Sequence, residues 1–157
     1  MSLRLRPLRD SDLEALFAWE SDPRAVEVAA FTRADPSDRG EFDAHYERVR
    51  NDPTNLLLAI EDDSEFVGTV GSFTMDGERE VTYWIAPARW GQGLASRALQ
   101  AFLAVEQTRP LYGRVADHNV GSAKVLARAG FAEVGSETSF APGVGAEVLE
   151  RIYRLDH

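Results

Sequence analysis

The stretch Glu80-Val81-Thr82-Tyr83-Trp84-Ile85-Ala86-Pro87-Ala88-Arg89-Trp90-Gly91-Gln92-Gly93-Leu94-Ala95 joins a β-prone run to an apolar helix through a turn holding two glycines. Val81–Ile85 is rich in β-branched and aromatic residues, and Pro87 interrupts it. Beyond the turn, Leu94, Ala95, Ala98, Leu99, Phe102, Leu103 and Val105 recur at helical spacing, so a helix with one broad apolar face is expected to end near Thr108-Arg109-Pro110. Two glycines one residue apart let the backbone fold tightly. The first N–H groups of a helix have no internal acceptor and lie at the positive end of its dipole, so the amides of Gln92 to Ala95 could hold a pyrophosphate without a lysine. A Gly-x-Gly pair also occurs as a plain strand-to-helix turn, and spacing alone does not separate the two readings. The stretch is not a P-loop, which ends in Gly-Lys-Ser/Thr. It is not a full dinucleotide fingerprint either, because Ser96 stands where a third glycine is required.

Working outward, Leu3-Arg4-Leu5-Arg6-Pro7 alternates like a half-buried strand. Ser11 and Glu14 form a capping-box pattern, which predicts a helix from Ser11 to about Asp22-Pro23. A second helix is expected after Pro36-Ser37, with Phe42, Tyr46 and Val49 on one face and a break at Asn51-Asp52-Pro53. Three short runs, Leu56–Ile60, Phe66–Val70 and Val81–Ile85, are separated by the turn signals Asp62-Asp63 and Asp76-Gly77 and read as an antiparallel meander. After the glycine turn come a strand over Leu111–Val115, a helix from Asn119 to Ala129 stopped by Gly130, and two strands, Ala132–Glu137 and Glu147–Leu155, joined by the loop Thr138–Ala146. The expectation is an α/β or α+β fold: a mixed, largely antiparallel sheet of six or seven strands with about four helices. With 157 residues, 44% of them hydrophobic, and no linker or repeat, residues 1–157 read as a single domain.

Composition narrows the chemistry. Seventeen basic residues against 26 acidic ones give a net charge of -9, which argues against a nucleic-acid partner. There is no cysteine, so thiolate nucleophiles and Cys-ligated metals are excluded, and His45, His118 and His157 lack ligand spacing, so no metal is expected. Arg4, Arg6, Arg9, Asp10, Asp12 and Glu14 interrupt any apolar leader or membrane span near the start, and a cytoplasmic protein that does not engage membranes is expected. The charge is unevenly spread. Residues 1–80 hold 19 acidic and 9 basic side chains, whereas residues 86–130 hold six basic ones, Arg89, Arg97, Arg109, Arg114, Lys124 and Arg128, against Glu106 and Asp117. Ordinary solvated faces account for this split, and so does an anion site in the second half.

A second constellation is Asn119-x-x-Ser122-x-x-x-Leu126-x-x-x-Gly130-Phe131. Taken alone, it is a helix with Asn119 as N-cap and Gly130 as C-cap. Together with Glu80–Ala95 and the order of elements, it resembles the GNAT superfamily of acyl-CoA-dependent N-acetyltransferases, and particularly the branch of ribosomal-protein N-terminal acetyltransferases. The resemblance spans nearly the whole chain and is strongest over Glu80–Phe131; Trp90 stands where the wider superfamily usually has Gln or Arg, with Arg89 as a neighbouring cation. It implies direct transfer of an acetyl group from acetyl-CoA to a primary amine, either a peptide or protein N-terminus or a small amine. It further implies donor binding by Trp84, Ile85, Ala86, Arg89, Trp90, Gly91, Gln92, Gly93, Leu94, Ala95, Ser96, Asn119 and Ser122, and it leaves room for a homodimer.

The implied chemistry sets further demands. An ammonium has no lone pair; an α-amine with a pKa near 8 is roughly a tenth neutral at pH 7, a lysine amine near 10.4 far less. Glu80 is the candidate base, acting directly or through water, and an exposed strand-end carboxylate beside Arg79 is the plainer reading of it. The leaving thiolate in many such enzymes meets a Tyr at the place held here by Leu126, which cannot donate. Ser122 is the replacement, as hydrogen-bond donor or as acid, and His118 is an outside candidate. The acceptor is expected between the first two helices and the loop Thr138–Ala146, where Glu20, Asp22, Glu27 and Glu41 would favour a cation. Two other classes stay open: an acyl-CoA-binding sensor without turnover, and a structural domain that ignores CoA.

Overall fold

The computed structural model describes residues 2–157. A seven-stranded sheet runs in the order β1-β2-β3-β4-β5-β7-β6, with β1 at Leu3–Pro7, β2 at Leu56–Asp62, β3 at Glu65–Met75, β4 at Glu78–Ile85, β5 at Leu111–Ala116, β6 at Ala132–Ala141 and β7 at Ala146–Leu155. Every neighbouring pair is antiparallel except β4 and β5. The helices are α1 (Leu13–Glu20), α2 (Pro23–Ala29), α3 (Arg39–Asn51), α4 (Leu94–Leu103) and α5 (Val120–Arg128). Among the described residues no helix is long and apolar enough to cross a membrane.

Strand β2 shows why the sheet is sandwiched. Its unbroken apolar run feeds two cores: Leu56, Leu58 and Ile60 pack on one face with Val70, Leu94, Leu99 and Phe102, while Leu57 and Ala59 pack on the other with Leu16, Phe42 and Tyr46. A strand buried on both faces needs no alternation. α4 therefore covers one face and α1 and α3 cover the other. The two meander turns are Asp63-Ser64 (φ 50 and 72) and Asp76-Gly77 (φ 52 and 80), the positive dihedrals that match the twist of paired strands. The first lies one residue later than the sequence signal.

Several expectations need correction. The Ser11/Glu14 capping box does not form: Asp12 accepts the Arg9 amide (2.8 Å) and two bonds from the Arg6 guanidinium, and Glu14 pairs with Arg39 (2.7 Å). The described residues form five helices, in keeping with the expected four or so; the additional one arises because Asp22-Pro23 ends α1 and also starts α2, Asp22 accepting the Arg24 amide with Pro23 in the first turn. α3 begins after Pro36-Ser37 as expected, capped by Asp38, whose side chain accepts the Glu41 amide (3.0 Å). α4 stops at Leu103, since Glu106 folds back to accept from Ser72 (2.5 Å) and Arg79 (2.7 Å). β6 runs on to Ala141, paired with Ala146, so the loop shrinks to residues 142–145.

Candidate active site

The parallel pair β4 and β5 is joined at only two positions, Arg79↔Leu111 and Glu80↔Tyr112. From Val81 to Ile85 the strands diverge, which leaves the β5-facing edge of β4 without a strand partner and opens a slot in the sheet. Gly91 (φ 78) and Gly93 (φ 74) then turn the chain into α4 through the left-handed region, where a side chain would be strained. No side chain caps α4, and its first helical amide bond is Arg97 to the Gly93 carbonyl (3.1 Å). The amides before it face outward without an internal acceptor.

Slot and helix start share one cleft of about 620 Å³. Of the residues that the sequence assigned to donor binding, Trp84, Ile85, Arg89, Trp90, Gly91, Gly93, Leu94, Ala95, Ser96, Asn119 and Ser122 line it. Two do not. Ala86 is buried with its amide on the Val67 carbonyl (2.9 Å), and the Gln92 side chain accepts from Arg89 Nε (2.8 Å). Arg89 is no free cation: Asp62 lies 2.6 Å and Glu65 3.2 Å from its guanidinium, so it braces the glycine turn against β2 and β3. Trp90 donates its indole N–H to the Ile85 carbonyl (3.0 Å), which ties the turn to the end of β4.

The facing wall is α5. Asn119 caps it by accepting the Ser122 amide (3.1 Å). The Ser122 hydroxyl lies 2.7 Å from the Tyr83 hydroxyl, which also stands 3.2 Å from the Ser122 carbonyl. Sequence reasoning did not single out Tyr83; strand alternation from the core residue Val81 is the signal that points it to this side. Burial pushes its phenol up to about 12, against the Ser122 hydrogen bond, so it is a neutral donor at ordinary pH. Leu126 is 1% exposed, within the core. Lys124 and Arg128, named from the sequence only among the six basic residues of the second half, line the cleft one helical turn apart, and among the described residues neither has a carboxylate partner. His118 donates from Nε2 to the Glu27 carbonyl (2.8 Å), latching the start of α5 to α2.

Glu80 is not among the residues lining the cleft. It lies on the face of β4 opposite Tyr83, at the point where the slot closes, 6% exposed, with Arg114 Nε 3.5 Å away. Burial holds its carboxyl above the usual range, opposed by Arg114 and assisted by Glu150, Glu78 and Asp76. The expected acidic acceptor wall is absent from the cleft. Glu20 is bonded to Arg33 (2.8 Å) and Tyr46, Asp22 to Arg24 (2.8 Å), and neither these nor Glu27 and Glu41 line it. α2 contributes Ala25, Val28 and Ala29 instead. The β6–β7 turn docks on the end of α2: Gly143 donates to the Ala30 carbonyl (2.8 Å), and a Cβ there would stand 2.4 Å from the Val26 carbonyl.

Residues 2–132 match the family model described as acetyltransferase (GNAT) domain. Among solved structures, the fold is similar to that of spermidine N-acetyltransferase from Vibrio cholerae in complex with CoA and spermine (TM-score 0.80, 20% identity, covering 96% of this chain and 94% of that one). It is also similar to an N-acetyltransferase from Staphylococcus aureus Mu50 (TM-score 0.79, 19% identity, 99% of both chains). A structure assigned to a phosphinothricin N-acetyltransferase is 28% identical, with a TM-score of 0.78 over 99% of this chain and 98% of that one.

Proposed function

Because the chain belongs to the GNAT acetyltransferase family, we propose that it transfers an acetyl group from acetyl-CoA to a primary amine in the cleft between β4, α4 and α5. The observation that carries this reading is the convergence of an uncapped helix start and an unpaired strand edge on one cleft. The uncapped amides suit a pyrophosphate, the free edge of β4 suits the amide-bearing arm of the donor, and Lys124 and Arg128 supply cations for its remaining phosphate. Amine nitrogen attacks the acyl carbon, a C–N bond forms, and the C–S bond breaks with its electron pair on sulfur.

The proton lost by the amine goes to Glu80. Three residues of strand separate Glu80 from Tyr83, about 10 Å, and the two side chains lie on opposite faces, so the transfer runs through water. Its raised pKa makes Glu80 a stronger base than an ordinary carboxylate.

The acceptor we assign is the α-amine of a peptide, which places the chain with the ribosomal-protein N-terminal branch. Two observations support this: no Asp or Glu lines the cleft, and its α2 wall is apolar, a poor match for a polycation. An α-amine is also the easier amine to deprotonate at pH 7. A second copy would pair on the free edge of β6, whose residues 132–140 are exposed on both faces, and sedimentation would report that dimer.

The test is thiol release from acetyl-CoA with a panel of peptides, polyamines and lysine-like amines. Peptides are expected to turn over fastest, and Glu80→Gln to lower kcat about 100-fold with the KM for acetyl-CoA nearly unchanged. Thermal stabilisation by CoA with no thiol release across the panel would establish the sensor reading instead.

A further inference from the structure

We infer that Tyr83 is the positioning residue of the leaving-group step, its phenol holding the Ser122 side chain so that the Ser122 O–H is directed at the donor sulfur. The inference rests on the acyl-transfer reading of the cleft. A serine in the first turn of a helix ordinarily satisfies its hydroxyl on a nearby backbone group. Ser122 does not: the only hydrogen-bond partner of its Oγ among the described residues is the Tyr83 hydroxyl at 2.7 Å, reached across the cleft from β4. Its own amide is held by Asn119 Oδ1 (3.1 Å), which fixes the backbone beneath it.

Two hydroxyls facing each other share one hydrogen bond, and the remaining proton is free. The phenol has two acceptors in reach, Ser122 Oγ at 2.7 Å and the Ser122 carbonyl at 3.2 Å. With the phenol donating to Oγ, the Ser122 proton has no partner among the described residues and is free to turn into the cleft that Ser122 lines. A developing thiolate selects that arrangement, giving the chain Tyr83 O–H to Ser122 O–H to sulfur, in which each bond polarises the next. No proton need leave either hydroxyl: when the C–S bond breaks, the electron pair stays on sulfur and Ser122 stabilises it as a thiolate. A phenol pushed up to about 12 stays protonated beside a thiol of pKa near 8.5, so it orients rather than protonates. The hydroxyl that Leu126 cannot supply from the middle of α5 is thus supplied by Ser122 from the first turn of that helix, oriented by Tyr83 of the neighbouring strand.

The thiol of CoA bound to the enzyme, followed by its thiolate absorbance as pH is raised, reads this contact without turnover. Bound to the wild type, it should titrate below free CoA; Tyr83→Phe and Ser122→Ala should each bring it back up by about one unit. The double variant should go no further than Ser122→Ala alone, and kcat should follow the same pattern with the KM for acetyl-CoA within about twofold of wild type. A bound thiol that titrates like free CoA, or one that Tyr83→Phe leaves unmoved, overturns the inference, as do effects that multiply in the double variant. Should the Phe side chain disturb β4, Ser122→Ala still reads the sulfur contact from α5, and a bound thiol that it leaves unmoved overturns the inference. A Tyr83-dependent thiol shift with no acetylated amine would sink only the transferase reading.

Discussion

Glu80 puts chemistry and stability in opposition within one side chain. Its carboxyl is raised in the folded protein, so the contribution it makes to stability is present below its unfolded pKa and lost as pH rises through the folded one. Whenever it ionises, the charge is held in a buried place against its preference. Glu80→Gln should therefore raise the melting temperature at pH 7 by a few degrees while abolishing most turnover, and the acid limb of kcat/KM in the wild type should lie above the ordinary glutamate range. Arg114 keeps Glu137 (2.5 Å) and Glu150 (3.2 Å) as partners, so the substitution does not strand a guanidinium. Lys124 is a plainer case. Lys124→Ala should raise the KM for acetyl-CoA several-fold with kcat unchanged, and the effect should shrink in salt, because the contact is an exposed charge on a phosphate. Neither Lys124 nor Arg128 stood out from the other basic residues of the stretch in sequence, where all six look alike. Arg89, Arg97 and Arg114 face carboxylates from other elements, a pairing that linear order conceals.

The glycine turn, the helix behind it and the Asn119 cap were legible at the scale of single elements because each is set by local backbone chemistry. Gly93→Ala tests this directly: forcing an alanine to φ 74 costs about 1 kcal/mol and tilts the first amides of α4, so the melting temperature should fall slightly and the KM for acetyl-CoA should rise more than tenfold. What misled sequence reasoning were signals with two meanings. Asp22-Pro23 reads equally as an end and as a beginning, and only the packing of Val26 and Ala30 decides that a helix follows. Ser11 and Glu14 have the spacing of a capping box, but the buried Arg6 draws Asp12 into the position first and Arg39 draws Glu14 away. Tyr83 sat inside the most informative stretch unremarked, since a strand's alternation says which way a residue points and not what it will meet.

For the molecule as a whole, charge is managed by burying it in pairs along the sheet's margins. Glu106, 6% exposed, is held down to about 2 despite its burial, because Ser72, Arg79 and Thr108 all donate to it. That depressed pKa contributes stability above the ordinary value of about 4.5, lost as pH falls toward 2. The wild type should thus lose melting temperature steeply across that window, and Glu106→Gln should flatten the loss while lowering stability at pH 7. The layered architecture was legible because β2 carries apolar residues on both faces; the parting of β4 from β5 was not, since no residue pattern marks where hydrogen bonding between two parallel strands lapses. That parting has a thermodynamic consequence. In the free protein, water must serve the β5-facing amides of Val81–Ile85, so they should exchange with deuterium quickly although they lie in the middle of a seven-stranded sheet. A donor arm laid along them acts as the absent length of strand. Its arrival should slow exchange on both sides of the slot and add about 2.7 kcal/mol at a hundredfold excess over Kd, so the cell's acyl-CoA level becomes a term in how firmly this sheet holds together.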